Sequence, residues 1–99
     1  MLGYYAIYRK GRSEPPTGII VKGSGDALIW DHRAGAWVYD PGLANRFMDD
    51  PRNWDDFETV DRQTAERLVP GITGGENLPD EDTIHWVFQW KGDPPQRDD

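Results

Sequence analysis

The sequence predicts an α+β domain in which an antiparallel sheet of about five strands, a meander plus a C-terminal strand, packs on two short helices. Three observations point there. Residues 2–39 alternate short β-branched and aromatic runs with turn segments rich in Gly, Pro and Asp. Residues 40–70 change to a helical spacing of apolar side chains, opened by Asp40-Pro41. Residues 83–90 alternate large apolar side chains with mostly polar ones.

Residues 2–9 read as the first strand, with Tyr4, Ala6 and Tyr8 on one face and Tyr5, Ile7 and Arg9 on the other. A loop follows, bracketed by Gly11 and Gly18, because Pro15 and Pro16 cannot donate to a central ladder. Residues 19–22, 27–30 and 36–39 are further short strands, separated by turns at 23–26 and 31–35, where Gly35 is free to take positive φ. Short turns make an antiparallel meander the simplest pairing. Asp40 then reads as an N-cap with Pro41 at the first helical position, where its missing N–H costs nothing. Leu43, Ala44, Phe47 and Met48 form the apolar stripe of this helix. Asp49-Asp50-Pro51 ends it, since the residue before proline avoids the helical region.

Trp54, Phe57 and Val60 mark a turn and a short extended piece. Asp61 is the second N-cap, Ala65, Leu68 and Val69 share a helical face, and Pro70-Gly71 closes the helix. Residues 71–82 form a loop of Gly, Pro and acid. In residues 83–90, Ile84, Trp86, Phe88 and Trp90 line one strand face, and Thr83, His85, Val87 and Gln89 the other. The first face must then lie on a core, so Trp86→Ala is expected to unfold or badly destabilise the protein. Residues 91–99 carry no apolar side chain. They form a disordered acidic tail beyond a single domain of residues 2–90.

The chain has 99 residues and 11.3 kDa, the size of one domain. No apolar run approaches the roughly 20 residues of a membrane span. No charged start followed by an apolar stretch suggests a secretory signal, and no membrane association is expected. Zero Cys excludes disulfides, thiolate catalysis and zinc-thiolate sites. A pI near 4.6 argues against direct nucleic-acid binding, which needs clustered Lys and Arg. The net charge of -7 is unevenly spread. Residues 1–40 hold five basic and four acidic side chains, whereas residues 41–90 hold four basic and eleven acidic ones.

Little in the chain points to catalysis. His32 lies in a polar turn, and His85 faces away from the Trp residues of the expected strand. Ser13 and Ser24 lie in loops, outside any G-x-S-x-G pattern. The segment starting at Asp50 fails as a calcium loop, because Trp54 stands at a ligand position and Asp55 at the turn glycine. Gly23 and Gly25 fit a hairpin turn better than a phosphate loop. No catalytic residue, metal or cofactor is expected.

The segments YYAIYR, IWDHRAGAWVYDP and VDRQTAERLV, with a Gly-rich hairpin between the first two, resemble small uncharacterised actinobacterial proteins over residues 4–69. The resemblance implies a bacterial, cytoplasmic setting and transfers no activity. The function expected is a non-enzymatic protein-binding module (an inhibitor, an immunity-type protein or an accessory subunit). It would dock a basic protein partner through Asp49, Asp50, Trp54, Asp55, Asp56, Asp80, Glu81 and Asp82. The alternatives are a nucleic-acid mimic that inhibits a DNA-binding protein, and a small ligand-binding protein or enzyme using His85 over the sheet.

Overall fold

The computed structural model describes residues 1–9 and 14–92. Strands β1 (Gly3–Ile7), β2 (Gly18–Lys22), β3 (Ala27–Asp31) and β4 (Ala36–Tyr39) form the expected antiparallel meander. Helix α1 (Pro41–Asp49) and a 3-10 turn (Pro51–Asn53) lead to β5 (Phe57–Val60), and α2 (Arg62–Thr73) and α3 (Glu81–Gln89) complete the domain. The sheet has five strands in the order β4-β3-β2-β1-β5. The number and antiparallel sense agree with the sequence. The fifth strand is the short extended piece at Phe57–Val60, which pairs with β1 from Tyr4↔Val60 to Ile7↔Phe57.

The chain leaves one edge of the sheet at β4 and re-enters at the other edge as β5, and α1 lies along the way. That crossing covers one face, where Tyr5, Ile7, Ile20 and Ile29 meet Ala44, Phe47 and Met48. On the opposite face Tyr4, Ile19, Val21, Leu28 and Trp30 meet Ala65, Val69 and Ile72 of α2 and Ile84 and Phe88 of α3. Strand β2 is thus covered on both sides, which is why Ile19, Ile20 and Val21 run together without a polar break. Arg62 of α2 ties to the buried Tyr4 of β1: its Nη1 donates to the phenol oxygen at 3.1 Å, and its guanidinium lies 5.6 Å from the ring centre.

The helix starts follow the sequence. Asp40 and Asp61 each accept from a backbone N–H three residues on, at Leu43 and Thr64. The close of α2 does not follow it. The helix runs through Pro70 to Thr73 and ends at Gly74, whose φ of 77° is the left-handed cap. Burial of Ile72 on the same side as Ala65 and Val69 favours the extra turn.

The expected strand at 83–90 is instead helix α3 up to Gln89, with Trp90 as its C-cap. Asp80 caps α3 by accepting from Thr83 N at 2.7 Å, and Glu81 and Asp82 occupy its first turn, where the helix dipole favours acid. Ile84 is 0% and Phe88 6% exposed, whereas Trp86 is 46% and Trp90 40% exposed. Positions four apart satisfy both periods, so the buried pair alone could not separate helix from strand. The tryptophans were expected on the core and stand on the outer side instead. The two expected helices become three.

The domain also extends past residue 90. Gly92 N donates to Val87 O at 2.9 Å, and a Cβ on Gly92 would lie 2.6 Å from Tyr39 Cβ. With φ of 84° as well, this position takes only glycine without rearrangement. Beside it, Asp26 Oδ1 accepts from Tyr39 Oη at 2.5 Å and from Lys91 Nζ at 3.0 Å. The rest of the expected tail, 93–99, lies outside the described residues, as do Gly11 and Ser13 of the first loop.

Ile84→Ala is expected to cost about 2–5 kcal/mol and Phe88→Ala about 3–5 kcal/mol in denaturant unfolding, from the cavities left behind. Trp86→Ala, at a ring 46% exposed, should cost clearly less than either, and a loss as large as theirs would return Trp86 to the core.

The Asp26–Tyr39 contact adds a pH dependence. The Asp26 carboxylate accepts a hydrogen bond from the Tyr39 hydroxyl and pushes the phenol up to about 12 from 10.0. The Tyr39 hydrogen bond, opposed by burial and aided by Lys91, holds the Asp26 carboxyl below 3.8. Tyr39 therefore contributes stability that is full below pH 10.0 and lost as pH rises towards about 12. Asp26 contributes stability that is present above pH 3.8 and lost as pH falls below it. Tyr39→Phe should flatten the alkaline loss of stability. An equally steep loss in that variant would contradict the assignment.

Candidate partner-binding surface

The predicted binding residues fall into two groups carried by different layers. Asp49 to Asp56 surround the end of α1 and the 3-10 turn, on one face of the sheet, while Asp80, Glu81 and Asp82 open α3 on the other.

In the first group the local structure is set by capping. Asn53 Nδ2 donates to Phe47 O and Trp54 Nε1 to Met48 O, both at 3.0 Å, satisfying carbonyls that a helix end leaves open. Asp50 is a structural residue. It caps the 3-10 turn through Arg52 N at 3.0 Å and pairs with the Arg52 guanidinium at 2.7 Å. Those bonds from Arg52 hold its carboxyl below the usual range and raise the guanidinium. Asp56 is half-buried, and its backbone is bonded to Tyr8 and Asn53. Asp49 and Asp55 are exposed. Between them in sequence Trp54 is 58% exposed, with its indole N–H fixed on α1.

In the second group Asp80 is the N-cap of α3, and the Thr83 backbone N–H holds its carboxyl low. Glu81 and Asp82 are exposed. Of the eight predicted residues, Asp50 and Asp80 thus serve the fold, and Asp49, Trp54, Asp55, Glu81 and Asp82 face outward. Trp86 and Trp90 belong with the second group and were not singled out as binding residues. The signal that finds them is Asp80 as an N-cap three residues before Thr83, followed by acid in the first turn.

Two shallow clefts meet at His32. One of about 350 Å³ is lined by Ile29, Val38, Arg33 and Leu43 among others, and one of about 540 Å³ by Ile7, Arg9, Thr17 and Phe47 among others. His32 Nε2 donates to Thr17 O at 2.6 Å, joining the β3–β4 turn to the start of β2. His85 is exposed on α3 and lines neither cleft. Gly25 and Gly35 take φ of 79° and 62° in hairpin turns, in keeping with the hairpin reading of the Gly23–Gly25 pair. Among the described residues no three His, Asp or Glu side chains gather as a metal site, and no helix is long and apolar enough to cross a membrane.

Comparison of the chain with protein-family models, curated proteins and solved structures finds no match.

The division of the acids is testable by thermal melting. Asp80→Ala and Asp61→Ala should lower the midpoint, because each removes a helix cap. Asp49→Asn and Asp55→Asn should leave it within error, and Glu81→Gln and Asp82→Asn, which weaken only the helix-dipole contact of the first turn, should lower it less than either cap does. A fall for the second set as large as for the first would mean that those acids also hold the fold.

Proposed function

We propose that the protein is a non-catalytic binding module that docks a basic protein partner through the outward acids and aromatics of its second half. The observation that carries this reading is Trp54, 58% exposed yet fixed by its indole N–H on Met48 O at 3.0 Å. A large ring already held in place loses little freedom on binding, which suits an interface anchor. Asp49 and Asp55 stand free on either side in sequence to meet Lys or Arg, and the net charge of -7 steers a basic partner from a distance. A second reading, binding of a small molecule, draws on the clefts at His32. Their volumes of about 350 and 540 Å³ lie within the range of ligand sites, roughly 300–1,000 Å³.

The test is capture of a partner from cells that make the protein, followed by association kinetics with that partner. The association rate should fall as salt rises, because exposed charges are screened over about 8 Å at physiological ionic strength. Trp54→Ala should speed dissociation. Joint substitution of Asp49 and Asp55 by Asn should slow association. Kinetics indifferent to salt and to all three positions would sink the proposal.

A further inference from the structure

Helix α3 presents a second aromatic surface. Trp86 and Trp90 are 46% and 40% exposed and four residues apart, so their rings stand over successive turns on one side of the helix. Asp82 lies one turn before Trp86 on the same side, with Glu81 beside it and Asp80 at the cap. No Lys or Arg occurs between Glu81 and Gln89. Lys91, the next cation along the chain, is held away at Asp26 Oδ1, at 3.0 Å. The side of α3 that meets the sheet is filled by Ile84 and Phe88. The outer stripe therefore combines two exposed rings with carboxylates at one end and no Lys or Arg on its own helix; Arg62 of α2, near enough to help hold the Asp80 carboxyl low, is itself engaged by Tyr4 and Glu66.

We infer that this stripe is the docking site for an arginine-bearing segment of the partner protein. The inference rests on the reading above and goes beyond it by adding a second contact site, on the opposite face of the sheet from Trp54, with its own chemistry. A guanidinium is planar and weakly hydrated, so it stacks on an indole face while its N–H groups reach a carboxylate. An ammonium is a compact, strongly hydrated charge and gains less from the rings. Charge argues against a second copy as the occupant, since it would bring three like carboxylates to the same stripe and another net charge of -7.

The experiment follows the indole N–H resonances of the full ¹⁵N-labelled chain at low salt. The probes are octa-arginine, octa-lysine and, separately, zwitterionic lipid vesicles. Octa-arginine should shift the Trp86 and Trp90 resonances along a saturable curve, and octa-lysine should bind more weakly. The double variant Trp86→Ala/Trp90→Ala should weaken octa-arginine about tenfold. Both rings lie outside the core, so the variant is expected to fold, which its remaining amide spectrum checks. If it does not fold, Glu81→Gln/Asp82→Asn supplies the same test, with weaker octa-arginine binding expected. Undiminished binding in the folded variant overturns the inference, as does a shift of both rings by vesicles but not by peptide. If octa-arginine moves Trp54 instead and leaves α3 still, the site is wrong while the general function stands. If neither peptide binds and a native partner captured from cells also shows no dependence on salt or acid, both fail.

Discussion

Strand β2 sets the terms for the rest of the molecule. Ile19, Ile20 and Val21 point to alternate faces and are essentially inaccessible, so the sheet needs cover on both sides. A meander alone leaves both faces bare. Crossing from β4 to β5 by way of α1 covers one, and the return of the chain as α2 and α3 covers the other. The same path places β5 beside β1, so β1 as well as β2 lies inside the sheet.

The cover of the larger core comes from Ala65, Val69 and Ile72 of α2, Ile84 and Phe88 of α3, and Leu78 of the loop between them. Of the tryptophans, Trp30 is buried and stacks edge-on with the half-buried Trp37, at 5.5 Å between ring centres. Trp54, Trp86 and Trp90 remain outside. The acids divide in parallel. Asp40, Asp50, Asp61 and Asp80 cap helices or the 3-10 turn. Asp49, Asp55, Glu81 and Asp82 stay outward near the exposed rings in sequence. A single composition thus serves helix starts with one part of its carboxylates and leaves the other part to solvent or a partner.

Much of this was legible in the residues. The meander followed from β-branched runs between Gly turns, and α1 from Asp40-Pro41 at one end and Asp50-Pro51 at the other. The error at residues 83–90 has a specific cause. Ile84 and Phe88 are compatible with a period of two and with a helical turn of four, and Trp86 between them completes an alternating pattern. Large rings report burial poorly when they can stand on a surface as anchors. Pro70 misled for a different reason: Ile72 buries beyond it, so packing outweighed a local breaker. For the site, the acidic residues were legible as a list but not as roles, because capping depends on where each helix begins. The sequence offers Trp54 and Tyr5 as the rings that stay exposed; Trp54 does, whereas Tyr5 is half-buried edge-on against Phe57.

The proposed binding surface consists of exposed indoles set in acidic surroundings, and collisional quenching of tryptophan fluorescence reads that arrangement without a partner. Caesium and iodide would be compared on the native protein at low salt, each scaled to its quenching of a neutral free indole. The exposed rings of Trp54, Trp86 and Trp90 should be quenched more by caesium than by iodide, since the surrounding carboxylates concentrate the cation and repel the anion. The difference should shrink as inert salt is added. Equal scaled quenching by the two ions, or stronger quenching by iodide, would contradict an acidic aromatic surface.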